Sequence, residues 1–173
     1  MPGMRILPAA LLLLLAVSAL AEEEQSIIEV AAPPGWTLSS GGDRNSFHLT
    51  RGTIVLDASI YPGEKNAMAT KEALERLMRQ SFGHMLEGAV QTEMTFAFAD
   101  TPGGFMGYTV FTDRKWVGRE IPKEEWRHAT AGVRRWPNAF VHFTILSNDL
   151  ESEEYRQALD LVRSAFRQTK AAR

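Results

Sequence analysis

The chain has 173 residues, no cysteine, and 19 Lys+Arg against 21 Asp+Glu, a formal net charge of −2. Near-balanced charge without a basic stripe excludes nucleic acid as an expected partner. The lack of Cys excludes disulfides, thiol catalysis and a lipid attached to Cys, so any folded domain must hold together by burial alone.

Residues 1–21 read as a secretory signal peptide. Arg5 supplies positive charge, Ile6 through Leu20 is apolar, and Ala19-Leu20-Ala21 provides the small-x-small site that a signal peptidase needs. The competing reading is an N-terminal membrane anchor, but Pro8 interrupts a run barely equal to the roughly 20 apolar residues of a bilayer-spanning helix. Cleavage and release, with no stable membrane anchor afterwards, is the expectation. A Cys-free secreted domain points to a bacterial periplasm. Removing 21 of 173 residues leaves 152, with 18 Lys+Arg against 21 Asp+Glu, and residues 22–173 are expected to form one domain.

Within that domain Ile27–Val30 and Trp36–Leu38 are short strand candidates on either side of the rigid turn Pro33-Pro34-Gly35-Trp36, and Ser39 to Asp43 reads as a loop. Ser46–Thr50 and Thr53–Tyr61 alternate as a hairpin about Arg51-Gly52. In its second strand Ile54, Leu56, Ala58 and Ile60 share one face, and Val55, Asp57, Ser59 and Tyr61 the other. Thr70 is an N-cap candidate for a helix whose stripe is Leu74, Leu77, Met78, Phe82 and Met85, weakened at Gly83 and stopped at Gly88. Val90, Thr92, Met94, Phe96 and Phe98 then alternate as a long strand, turning through Asp100–Gly104 into Phe105–Thr112. Arg127–Trp136 and Phe140–Ser147 form a third hairpin across Pro137-Asn138. Ser152 caps a last helix that carries Glu153 and Glu154 in its first turn and the stripe Tyr155, Leu159, Val162, Phe166. The fold class these elements predict is α+β, an antiparallel sheet of about six or seven strands flanked by two main helices.

Pro34-Gly35-Trp36, the Gly107-Tyr108 strand, Thr130-Ala131-Gly132, and Thr144 to Asn148 before the last helix resemble the PsbP-like sandwich, the α/β/α fold of PsbP and the Ran-binding Mog proteins. The resemblance covers nearly all of the mature chain. It implies a fold whose members mostly bind or assist other proteins, and it carries no active site, because the superfamily has no shared catalytic motif.

No Gly-x-Ser-x-Gly elbow, His-Glu-x-x-His or phosphate loop occurs, so no catalytic residue and no cofactor is assigned. Four histidines, at 48, 84, 128 and 142, raise a metal question. If Trp136 faces Ala139, His142 lies opposite Val133 and His128 opposite Ser147. The two are then about 16–17 Å apart along the hairpin, too far to share an ion. No metal site is expected.

Two surfaces remain. A polar sheet face with Asp57 and Tyr61 forms a ligand-sized floor if the strand order adds Tyr108, His142 and Thr144, with Arg134 or Arg135 as the partner a mid-strand carboxylate needs. The long connection Asp113 to Trp126 carries Trp116, Arg119, Ile121 and Trp126. Its tryptophans either contact a partner or tuck inward to pin the loop. The expected function is that of a non-catalytic protein-binding or accessory protein of the envelope, with another envelope or periplasmic protein as partner. The alternative is a small-ligand binder or hydrolase using the Asp57–His142 face.

Overall fold

Two capping side chains start the helices where the sequence places them. In the computed structural model, which describes residues 27–30, 32–40, 45–63 and 68–169, the Thr70 hydroxyl accepts from Ala73 N and opens α1 (Lys71–Phe82). The Ser152 hydroxyl accepts from Tyr155 N and opens α2 (Glu153–Ser164). The signal-peptide reading of residues 1–21 falls outside the described residues, as does the Gly41–Asp43 part of the loop expected after Leu38. Among the described residues no helix is long and apolar enough to cross a membrane.

The strands are β1 (Ile27–Val30), β2 (Thr37–Ser40), β3 (Ser46–Arg51), β4 (Ile54–Pro62), β5 (Ala97–Thr101), β6 (Gly104–Thr112), β7 (His128–Arg135), β8 (Ala139–Ser147) and β9 (Phe166–Thr169). Seven of them form one antiparallel sheet in the order β2-β3-β4-β8-β7-β6-β5, and β1 pairs with β9 as a separate ribbon. This is the α+β class read from the sequence, with a helix on each face of a seven-stranded antiparallel sheet. Trp136 N bonds Ala139 O at 2.8 Å, and the β7–β8 register sets Val133 opposite His142 and His128 opposite Ser147, as the hairpin arithmetic required.

Strand alternation sorts the side chains into two cores. On the first face Leu49, Leu56, Ala58, Val141, Phe143 and Ile145 pack under Tyr155, Ala158, Leu161 and Val162 of α2. On the second face Ala131, Val133 and Phe111 pack under Leu74, Met78 and Phe82 of α1. Each such large side chain contributes about 1.5–3 kcal/mol by leaving water.

Four expectations are corrected. The helix expected to run to Gly88 ends as α1 at Phe82, and Met85 lies in the 3-10 helix Gly83–Glu87 that follows. The long strand over Val90–Phe98 shortens to β5, which begins at Ala97. Before it, Val90 N bonds Thr112 O at 2.8 Å and the Gln91 side chain occupies Thr112 N at 2.8 Å, so a side chain sits where a ladder partner would. Met94 and Phe96 join the α1 core from irregular backbone, which mimics a period of two without pairing. Phe166 belongs to β9 and not to the α2 stripe; α2 ends at Ser164, and Phe166 is buried 1 % exposed among the first core. Ser39 and Ser40 are in β2 and not in a loop, held by pairing with His48 and Phe47.

Candidate functional site

The second sheet face is covered unequally. The α1 core draws its strand residues from β5 to β8, and no buried member of it comes from β2, β3 or β4. Among the described residues of those three strands, Thr37, Ser39, Asp57 and Tyr61 are exposed on this face. Register aligns Ser39 with His48, His48 with Asp57, and Asp57 with Thr144, one polar row across four strands. His48 Nδ1 donates to Asp57 Oδ1 at 2.7 Å, with the two side chains 43 % and 53 % exposed. A carboxylate only accepts, so the pairing fixes the proton of the neutral ring on Nδ1 and leaves Nε2 as an acceptor. Such an exposed pair adds little to stability. In the next row the Ser46 and Ser59 hydroxyls meet at 3.3 Å.

The partner of Asp57 is therefore His48, and neither Arg134 nor Arg135 reaches it. Arg134 sits opposite Val141, on the face under α2. Arg135 shares the second face but pairs with Phe140, level with Tyr61, four residues or about 13 Å along the strand from Asp57. Tyr108 is likewise opposite Gly132, whose other neighbour is Phe143, so it also lies on the α2 face. Of the five residues grouped as a ligand face, the strands bring Asp57, Tyr61 and His142 to one side and put Tyr108 and Arg134 on the other. Strand order alone leaves this parity open, because a one-residue register step exchanges the two faces.

His142 is not a floor residue either. Its ring lies 5.0 Å from Tyr61, 5.4 Å from Phe140 and 5.6 Å from Phe82, centroid to centroid. Its Nε2 is buried without a hydrogen-bond partner, and burial pushes its pKa below the ordinary histidine value. It is a neutral ring in an aromatic cluster at the margin of α1, and Tyr61, stacked on Phe140 at 5.4 Å, covers it. Among the described residues no group of three or more His, Asp or Glu could hold a metal ion.

In the connection from Asp113 to Trp126 the tryptophans turn inward. Asp113 caps a single 3-10 turn, Arg114–Trp116, by accepting from Lys115 N at 2.8 Å. That turn drives Trp116 to 8 % exposure, and Lys115 closes over its ring at 4.3 Å. Trp126 Nε1 donates to Thr53 O at 2.7 Å and ties the connection to the β3–β4 turn. Ile121 is half-buried, and Arg119 and Val117 are exposed. Of the four residues proposed as a contact loop, only Arg119 is fully presented to a partner.

Sequence reasoning missed a cleft of about 320 Å³ on the other side of the molecule, between the Pro33–Trp36 turn, Arg51 and one flank of α2. The Pro-Pro-Gly-Trp turn was its visible signal. The contribution of α2 was not visible, because Gln157 and Asp160 lie on the helix flank beside the apolar stripe.

No protein-family model matches this chain, and no curated protein matches it.

Proposed function

We propose that this chain is a non-catalytic protein-binding or accessory protein of the bacterial envelope, and that its contact surface is the open β2–β4 half of the second sheet face. The observation that carries this reading is the unequal cover. On the first face α2 and its core bury residues of β3, β4, β6 and β8 and leave Leu38 of β2 exposed at the edge, whereas on the second face Ser39, Asp57 and Tyr61 stay open beside α1. A half-exposed tyrosine at the border of a polar field has the chemistry of an interface anchor, an apolar ring with a polar tip. The envelope placement draws on the Arg5, Ile6–Leu20 and Ala19-Leu20-Ala21 pattern, and the accessory role on the PsbP-like resemblance. The small-ligand alternative loses its floor with Tyr108 and Arg134 on the opposite face and His142 under three rings.

Photo-cross-linking in intact cells tests the reading. A photoreactive residue at Asp57 or Tyr61 is expected to capture one envelope protein, and the same residue at Arg76, exposed on α1, to capture none. Capture at all three positions alike, or at none, rejects the open face as the contact surface.

A further inference from the structure

The cleft behind Trp36 is built around one positioned cation. Trp36 N bonds Pro33 O at 3.1 Å, closing a turn in which Gly35 has φ +84°. Only glycine takes that conformation without strain. The turn lies over Arg51, where a Cβ on Gly35 would stand 3.8 Å from the guanidinium Cζ and Nε. From below, Arg51 donates an Nη1 hydrogen bond to Gln157 Oε1, and Gln157 Nε2 donates to Glu153 Oε1 at 2.8 Å. The guanidinium is thus held by a neutral amide that is itself held. Among the described residues, none of the ion pairs includes Arg51. Pro33, Pro34, Trp36 and Leu161 give the cleft an apolar wall, and Asp160 stands on its rim.

We propose that this cleft binds a carboxylate carried on a small apolar body, with Arg51 receiving the carboxylate and the Pro33–Trp36 turn and Leu161 packing the body. A held guanidinium with donors left over is the side chain best suited to a planar carboxylate. The Asp160 carboxylate on the same rim repels a second negative charge and so disfavours a phosphate dianion more than a carboxylate. The volume suits one amino-acid residue with its carboxylate. Two sources present that group: a free N-acylated amino acid, and the carboxyl terminus of a polypeptide. The cleft lies on the α2 side, so this inference is independent of the open-face reading.

The test is NMR titration of the protein as purified from its host with N-acetyl-leucine, with acetyl-Ala-Ala-Leu, and with the amide of that peptide. Saturable shifts confined to residues 33–36, 51 and 157–164 are expected with the two acids. Binding is expected to weaken at least about tenfold with the amide or with Arg51→Gln, the loss of a charge-assisted pair. Asp160→Asn, a change at an exposed position that removes the repelling charge, is expected to tighten acid binding severalfold. Equal affinity for both acids identifies a small acid as the ligand; affinity that grows with the upstream residues identifies a chain terminus. Equal shifts with acid and amide, shifts elsewhere, or none up to millimolar concentration overturn the proposal, as does an unchanged affinity in Asp160→Asn.

Discussion

The guanidinium carbon of Arg134 lies 3.9 Å from the centroid of the Trp136 ring, and Arg134 itself is 1 % exposed. Its Nη1 donates to Val162 O at 2.6 Å and its Nη2 to Pro102 O at 3.3 Å. Burial pushes its pKa down to about 10, so it stays charged at neutral pH. Among the described residues no carboxylate pairs with it, and a buried cation needs a source of negative potential. The last turn of α2 supplies one, since Val162 is two residues from its end and the carbonyls there carry the negative pole of the helix. Arg163 Nε reaches Asp100 O at 3.2 Å nearby, so the end of α2 is tied to the β5–β6 hairpin once directly and once through Arg134. Arg134→Ala is expected to destabilise the fold by about 3 kcal/mol, through a cavity and two stranded carbonyls. Arg134→Met, which retains most of the volume, should lose about half of that. Urea unfolding measures both, and equal losses would show that packing adds nothing to the hydrogen bonds.

A second buried polar contact allows its coupling to be isolated. Thr130 Oγ1 and Tyr155 Oη are 2.8 Å apart beneath α2, and burial raises the tyrosine pKa. Tyr155→Phe leaves the fully buried Thr130 hydroxyl without a partner and should cost about 1–2 kcal/mol. Thr130→Val with Tyr155→Phe removes both groups at similar shape, so the double variant should be less destabilised than the two singles added together. Strict additivity in equilibrium unfolding would contradict a hydrogen bond between them.

Two glycines should respond oppositely to alanine. A Cβ on Gly132 would stand 2.5 Å from Gly107 O and from Phe143 Cζ, inside the sheet, so Gly132→Ala is expected to cost about 3 kcal/mol or more by overpacking. Gly83 has φ −57° at the end of α1, and nothing lies within 4 Å of its Cβ position. Gly83→Ala should stabilise by about 0.5 kcal/mol by restricting the unfolded chain. Thermal midpoints of the two variants should therefore lie on opposite sides of the parent, and a gain in Gly132→Ala would mean that the β6–β7–β8 backbones separate more readily than this packing implies.

The contrast between the glycines also marks what the sequence could tell. Local signals were legible: Thr70 and Ser152 as caps, and a Pro-Asn turn that set the β7–β8 register. The alternation of Ile54 to Ile60 named the buried face of β4 correctly, because a half-covered antiparallel strand must alternate. Nonlocal facts were not. Which face Tyr108 joins depends on the register of β6 against β7. The β1–β9 ribbon joins the two ends of the domain, which no local pattern reports. Asp57 needed a partner, and arginine was the obvious charge to assign. The β3–β4 hairpin instead sets His48 opposite Asp57, only nine residues away, because the turn sits at Gly52-Thr53 and not at the expected Arg51-Gly52.

Acid sensitivity follows from two half-buried histidines. Burial lowers the pKa of His142, and burial together with the neighbouring Arg127 lowers that of His128, both from 6.5. The unfolded chain therefore takes up these protons first, at about pH 6.5. Stability is full above that pH, falls as the pH drops below it, and stops falling on their account only below the folded-state values. Glu72 behaves differently. Hydrogen bonds from its own backbone N–H and from Thr70 at the start of α1 lower its carboxyl pKa from 4.5, so it contributes acid loss only below about pH 4.5. Unfolding between pH 7 and pH 5 thus isolates the histidines. His142→Phe, which retains an aromatic ring among Tyr61, Phe82 and Phe140, should lose visibly less stability over that interval than the parent chain. A parallel fall in both proteins would assign the acid loss to groups other than His142.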